Sequence, residues 1–137
     1  MVTKSFRTND YIVEASYYNG KKEATYVDIY NQNATMVASF SVTTDENDDK
    51  NAMLQVSKMY DDVDLQRLSL EIAESAAYVK GNKKITYQAN GFEKIRFCEL
   101  LDSQGYEFDG ENFVKDSLLN SEYFYQFYGF IPTPDEM

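Results

Sequence analysis

The sequence contains no histidine and a single cysteine, and these two scarcities exclude most familiar catalytic machinery. Without histidine there is no Ser-His-Asp or Cys-His catalysis, no imidazole general base and no histidine-ligated zinc. The lone Cys98 cannot form an internal disulfide or a Cys-x-x-Cys motif. The six glycines are isolated from one another, so neither a Walker A loop nor a Rossmann glycine pattern is present.

Long apolar runs and an excess of basic residues are also missing. No segment approaches the roughly 18 apolar residues of a membrane span, and the N-terminus shows no apolar signal-peptide core. We therefore expect a cytoplasmic protein with a reduced cysteine. Acidic residues outnumber basic ones 23 to 13, giving a net charge of −10. This balance argues against direct binding to nucleic acid or to a membrane surface, because both interactions need a basic face.

Enough apolar material is present for a core, since 43% of the 137 residues are hydrophobic. The first third is rich in β-branched and aromatic residues at 11–18 and 24–30, on either side of Asn19-Gly20. This dipeptide is typical of tight hairpin turns. Alternating apolar residues over 36–42 add a third strand. These segments predict an antiparallel meander.

Beyond residue 43 the pattern changes. Residues 44–51 are predicted to form an acidic loop, and residues 52–60 a short helix. A longer helix follows, with Asp61 as its N-cap and Gly81 as its closing glycine. The apolar stripe of this helix comprises Leu65, Leu68, Ile72, Ala76 and Val79.

The last third predicts further strands and helices. A strand over 84–89 leads into a helix that ends at Gly105, and an Asp-Gly pair predicts a strand or small hairpin near residue 110. Residues 114–128 are predicted to be helical, within an aromatic-rich C-terminal helix and tail over 114–137. The predicted fold class is α+β in one domain, residues 1–137. An antiparallel sheet, made of the three-strand meander plus one or two further strands, packs with two or three helices.

Residues 65–110 resemble the C-terminal half of GNAT-type N-acetyltransferases. That family runs strand, helix, strand, helix, strand, and its last helix carries an aromatic-x-x-x-leucine stretch before a Gly-aromatic pair. The matching residues are Phe97 to Leu101 and Gly105-Tyr106. The resemblance implies a GNAT-like fold over roughly residues 10–113, with acyl transfer from acetyl-CoA as the implied activity.

One departure from that family bears on the cofactor. GNAT enzymes bind the acetyl-CoA pyrophosphate on a Gln/Arg-x-x-Gly-x-Gly/Ala turn that opens the helix after the central strands. The corresponding region, residues 43–66, has no glycine and carries seven acidic residues, which would repel the phosphates. The sequence therefore predicts a degenerate, non-catalytic version that binds no cofactor.

Two other chemical readings of single motifs are weak. Asp45, Asn47 and Asp49 occupy positions 1, 3 and 5 of an EF-hand loop, but Lys50 and Val56 stand where the loop needs glycine and glutamate. The sequence thus predicts no metal site. Cys98 lies on an apolar helical stripe and is predicted to be a buried, inert thiol.

Acidic residues concentrate in two blocks on either side of a mildly basic middle. Residues 45–64 hold seven acids and two lysines, and residues 99–116 hold six acids and one lysine. Such blocks are either solvated loops, or surfaces that imitate a nucleic-acid backbone or dock on a basic protein surface. The candidate partner-binding acids belong to the first block: Asp45, Glu46, Asp48, Asp49, Asp61, Asp62 and Asp64.

The C-terminal segment is unusually aromatic, with six aromatic side chains among the eight residues of 123–130. The face formed by Phe124, Phe127 and Tyr128 is predicted to pack on the body of the protein. Tyr123 and Tyr125 are then left for a partner or for a second copy in a homodimer. A wholly buried aromatic cluster is the alternative.

We therefore expect a small, acidic, non-enzymatic interaction protein whose partner is a protein with a basic surface. The sharper version is an inhibitor that occupies the nucleic-acid channel of a host enzyme. A composition rich in lysine, asparagine and tyrosine, typical of AT-rich genomes, suggests a phage or mobile-element accessory factor. Two alternatives stay open: a GNAT-family acyltransferase with an atypical cofactor site, and a structural or assembly protein that uses the aromatic C-terminus.

Overall fold

The computed structural model describes residues 2–18, 24–88, 95–118 and 123–128, without the side chains of residues 95 and 96. These residues form one sheet and three helices. The strands are β1 (Val2–Arg7), β2 (Ile12–Tyr18), β3 (Ala24–Tyr30), β4 (Met36–Asp45), β5 (Asp48–Met59), β6 (Lys84–Tyr87), β7 (Glu107–Phe108) and β8 (Phe113–Lys115). The helices are α1 (Val63–Lys80), α2 (Ile95–Ser103) and α3 (Phe124–Phe127).

The sheet has the strand order β1-β2-β3-β4-β5-β6-β8-β7. All neighbouring strands are antiparallel except β5 and β6, which are parallel and are joined by α1 as a crossover helix. The predicted α+β class is confirmed. The sheet is larger than predicted, because β1 pairs with β2 at one edge and β5 extends the meander to five strands.

Burial alternates along the central strands and separates two faces of the sheet. Val13 and Ala15 of β2 lie opposite Ile29 and Val27 of β3, and all four side chains are buried. The residues between them are exposed or only partly buried, as expected for strands with one face in a core. We call the face of β2 and β3 that points away from the core the open face. It comprises Ile12, Glu14, Ser16, Tyr18, Tyr26, Asp28 and Tyr30.

The helices pack on the buried face. α1 lies against β4, β5 and β6. Phe97 of α2 makes an edge-to-face contact with Tyr87 of β6, and Phe127 of α3 makes one with Phe6 of β1. The described part of the protein is therefore a two-layer sandwich of helices on one side of a sheet.

Helix α1 forms largely where the sequence predicts it. Its predicted apolar stripe is buried throughout. Gly81 closes the helix in the left-handed conformation (φ 95°), with its N–H bonded to the carbonyls of Ala77 and Tyr78. The N-cap is Asp62 instead of the predicted Asp61, because Asp62 has the extended backbone from which its side chain accepts the N–H of Leu65.

The acidic loop predicted over 44–51 and the helix predicted over 52–60 are both wrong. These residues form the β4–β5 hairpin, whose turn is stabilised by Asp45 Oδ1 accepting the N–H of Asn47 at 3.0 Å. Leu54 pairs with Val42 and lies in the core, as does Ala52. Burial of these alternating side chains against β4 outweighs a local pattern that also suits a helix.

The last predicted helix, over 114–128, is also wrong in the described residues. Val114 and Lys115 belong to β8, which forms the expected hairpin around Asp109 and Gly110. The Asp109 carboxylate accepts the N–H groups of Asn112 and Glu111, and these bonds lower its pKa. Within the described part of 114–137, only 124–127 make a helical turn, and residues 119–122 and 129–137 lie outside the described residues.

A buried polar network ties three distant segments together. Lys115 Nζ of β8 lies 2.6 Å from Glu74 Oε1 of α1, and Tyr106 donates its O–H to Glu74 Oε2 at 3.1 Å. Burial raises the pKa of Tyr106 well above 10.0, and the negative charge of Glu74 and the hydrogen bond to it raise it further. Cys98, which was predicted to be buried, is only partly so and takes no part in this network.

Candidate functional site

The candidate acids of the β4–β5 hairpin lie beside a basic segment. Asp45, Glu46, Asp48 and Asp49 surround the turn. Lys84 Nζ lies 3.2 Å from Asp48 Oδ2, and the N–H of Lys83 bonds to the carbonyl of Lys50 at 2.7 Å. The N–H of Lys50, and then Lys84, lower the pKa of the Asp48 carboxyl. Lys50 and Lys84 therefore offset part of the negative charge at this end of the sheet.

The remaining candidate acids lie at the opposite end of β5. Asp61, Asp62 and Asp64 follow its last residue, Met59, and Asp48 is its first. The twelve residues of β5 span roughly 35 Å. This exceeds the screening length of ~10 Å at 0.1 M salt, beyond which exposed charges interact only weakly. The structure thus divides the seven candidate acids into two separate groups.

A fourth aspartate joins the second group through the fold. Asp10 lies in the β1–β2 turn, where Thr8 and Tyr11 exchange two hydrogen bonds of 2.9 and 3.1 Å. The pairing of β2 with β3, of β3 with β4 and of β4 with β5 puts this turn at the same end of the sheet as the last residue of β5. The pKa of Tyr11 is raised by burial first, and then by the charges of Asp62, Asp10 and Asp64. We call this group the acidic end, which comprises Asp10, Asp61, Asp62 and Asp64.

The ion pair at the acidic end is longer and more exposed than the one at the hairpin, and an exposed ring lies beside it. Arg67 pairs loosely with Asp64 at 3.5 Å on the surface. Lys58 Nζ lies 5.4 Å from the centre of the Tyr60 ring, which is 46% exposed. The sequence could not have included Asp10, because fifty residues separate it from the start of α1 and only strand pairing brings it there.

The start of α1 does not fit the pyrophosphate of acetyl-CoA in the manner that the resemblance implies. The N–H of Leu65 is already bonded to Asp62 at 3.1 Å, and Asp64 occupies the first turn. Carboxylates at this position stabilise the helix by interacting with the positive end of its dipole, and they repel a phosphate. In the described part of the chain, no group of three acidic or cysteine side chains is arranged to hold a metal ion.

A small apolar cavity of about 10 Å³ lies between the sheet and the helices. It is bounded by strand residues of β4 and β5 and by the first turns of α1, together with one residue of α2: Phe40, Leu54, Val56, Met59, Gln66, Ser69, Leu70 and Phe97. The side chain of Gln66 donates to the carbonyl of Tyr60 at 3.3 Å, while its buried Oε1 has no partner among the described atoms. The cavity is large enough for about one water molecule.

The two C-terminal tyrosines proposed for a partner differ in exposure. Tyr125 is 79% exposed, whereas Tyr123 is partly buried against Phe6 with ring centres 6.0 Å apart. Tyr128, which was predicted to pack, is 58% exposed. The single turn of α3 directs Phe127 into the core and leaves Tyr125 and Tyr128 outside, so these two form the exposed aromatic pair.

No protein-family model matches this chain, and no curated protein sequence is significantly similar to it. The class of protein is therefore defined by its architecture alone: an α+β protein with helices on one face of an eight-stranded sheet. Among the residues that the structure describes, no helix combines the length and the apolar character that crossing a bilayer requires.

Proposed function

We propose that this protein is a non-enzymatic acidic interaction protein that binds a basic surface of a protein partner through its acidic end. The observation that carries the proposal is the strand pairing that puts Asp10 at the same end of the sheet as Asp61, Asp62 and Asp64. The charges of Asp62, Asp10 and Asp64 also raise the pKa of Tyr11. Such a surface attracts cationic partners and suits them by charge complementarity. In its more specific form, the proposal is that the protein occupies a basic nucleic-acid channel of a host enzyme. It also proposes that the protein comes from a phage or a mobile element.

The contrast between the two ends of β5 supports the choice of the acidic end. At the hairpin, Asp48 is already paired with Lys84, so a partner would have to compete with an internal cation. At the acidic end, Asp64 is largely exposed and its contact with Arg67 is long, so it remains accessible to an incoming lysine or arginine. Exposed Tyr60 adds a ring of the type enriched at interfaces.

Neutralising the acidic end should weaken binding to a cationic probe. In the variant D61N/D62N/D64N the asparagine at 62 still caps α1, so the fold is retained while three charges are removed. We expect the affinity for fluorescein-labelled decalysine, measured by anisotropy at 50 mM salt, to fall at least tenfold. Wild-type binding should itself weaken at least tenfold between 50 and 200 mM salt.

The matched control removes the same number of charges from the hairpin, in D45N/E46Q/D49N. Because Lys50 and Lys84 lie beside this group and already interact with Asp48, its loss should change the affinity less than threefold. Equal losses in both variants, or binding that is insensitive to salt, would contradict a role for the acidic end.

An acyltransferase with an atypical cofactor site is the second candidate. The order strand, helix, strand, helix, strand over β5–α1–β6–α2–β7 favours it. The capped, acidic start of α1 opposes it. We expect no heat of binding when acetyl-CoA is titrated calorimetrically into the protein at 100 µM. A dissociation constant in the micromolar range would replace the proposal above with this one.

A structural or assembly protein is the third candidate, favoured by the exposure of Tyr125 and Tyr128. If this pair mediates self-association, wild-type protein should elute as a dimer or larger species in size exclusion with light scattering, and Y125S/Y128S as a monomer. Our proposal predicts monomers for both, and Phe127 stays in place to preserve the fold.

A further inference from the structure

Two carboxylates face each other on the open face of the sheet. Glu14 of β2 is directly opposite Asp28 of β3 in the antiparallel register. Side chains at directly opposite positions are about 5 Å apart at Cβ, and like charges there destabilise a sheet. Asp28 accepts the O–H of Ser39 at 2.7 Å, but in the described part of the chain neither carboxylate forms an ion pair with a lysine or arginine.

Tyrosine rings flank this carboxylate pair along β3. Tyr26 and Tyr30 lie two residues before and after Asp28 on the same face of β3. Tyr18 of β2 packs edge-to-face on Tyr26 with ring centres 5.2 Å apart, and the two rings are 42% and 49% exposed. Along β3 the open face thus presents an aromatic ring, a carboxylate and a second ring at intervals of about 7 Å.

The field of the carboxylates reaches the neighbouring ring. Burial raises the pKa of Tyr30, and the charges of Asp28 and Glu14 raise it further. The three groups therefore share one negatively polarised surface, in addition to lying on one face. Phosphates are excluded there, and a neutral sugar would leave two opposed charges uncompensated.

We propose that the open face of β2 and β3 binds arginine side chains of an extended segment of the protein partner. The guanidinium suits this surface because it bonds carboxylates bidentately and stacks on tyrosine rings. In an extended segment, arginines at alternate positions project to one side about 7 Å apart, which matches the spacing along β3. This inference rests on the proposed function and assigns it a second, separate surface.

Repulsion between Glu14 and Asp28 then lowers the stability of the free protein, and a bound arginine relieves this repulsion. Replacing both acids in E14Q/D28N removes their repulsion and retains the Oδ1 acceptor for Ser39. The variant should therefore fold at least as stably as the wild type, so that any loss of binding reflects the surface and not the fold. Thermal unfolding followed by circular dichroism measures this directly.

The test uses the full chain and a labelled five-residue peptide, Arg-Thr-Arg-Thr-Arg, capped at both ends. We expect E14Q/D28N to weaken peptide binding at least tenfold by anisotropy, and Y26S at least threefold. The matched control E107Q/E111Q removes two charges from exposed positions of the β7–β8 hairpin and should stay within twofold of the wild type. A peptide with citrulline in place of arginine should bind at least tenfold more weakly.

The outcomes separate this inference from the proposed function. Suppose that the wild type binds the peptide, that E14Q/D28N binds it equally well, and that D61N/D62N/D64N does not bind it. The acidic end is then the binding surface, and the open-face inference is wrong. If E14Q/D28N and E107Q/E111Q lost peptide affinity equally, the loss would reflect net charge alone, and the open-face inference would also be wrong. Binding of maltohexaose at Tyr26 in place of the peptide would make the face a carbohydrate site and refute the arginine assignment.

Discussion

Replacing Phe127 with alanine is expected to lower the free energy of unfolding by about 3–5 kcal/mol, the range for a buried phenylalanine whose cavity collapses incompletely. Phe127 is fully buried and makes an edge-to-face contact with Phe6, with ring centres 6.1 Å apart. Lys4 of β1 also donates to the carbonyl of Gln126 at 2.7 Å. The last described turn thus packs on the first strand, and its loss should expose the core beneath.

Urea unfolding followed by circular dichroism measures this effect, with Y125A as the matched control from the same turn. Tyr125 is largely exposed, so its removal should cost less than about 0.5 kcal/mol. If F127A also cost less than about 1 kcal/mol, 124–127 would not belong to the cooperative core. The C-terminus would then be available as a binding surface in its entirety.

Replacing Glu74 with alanine should destabilise the protein by about 2–4 kcal/mol. The change removes the carboxylate that Lys115 approaches at 2.6 Å and that accepts the Tyr106 hydroxyl. A buried charge that loses its partner costs about 3–5 kcal/mol, and partial exposure of Lys115 reduces this figure. E74Q retains an acceptor for Tyr106 and should cost less than E74A.

The pH dependence of stability gives this network a second readout. Because the folded pKa of Tyr106 lies above 10.0, the stability that its protonated form contributes is present below pH 10 and is lost as pH rises toward the folded value. E74Q removes the charge and lowers the pKa of Tyr106, although burial still keeps it raised. Phenolate absorbance at 295 nm, taken as the difference from Y106F, follows this group. If the titration of Tyr106 measured in this way were the same in E74Q and in the wild type, the contact between Tyr106 and Glu74 would be contradicted.

Local patterns predicted the elements that bury a regular face. Strands β2 to β4 and helix α1 were predictable because alternation or a 3.6-residue period persists along each of them. The same reasoning failed at β5, where apolar residues at 52, 53, 54 and 56 suit either structure, and at β8, which is three residues long. β5 pairs with its hairpin neighbour β4 on one side and with β6 on the other, and β8 pairs with β7 and β6. Both strands therefore depend on pairing that the residues of the strand alone do not encode.

The sequence by itself determined the α+β class, helix α1 and its closing Gly81 but not its N-cap, the net negative charge, and the exclusion of histidine-based and disulfide chemistry. Only the tertiary structure decided which charges act together. It placed Lys84 beside Asp48, brought Asp10 to the same end of the sheet as Asp62, and set Glu14 against Asp28. The physical reason is that electrostatic coupling depends on distance in space, which strand pairing sets independently of separation along the chain.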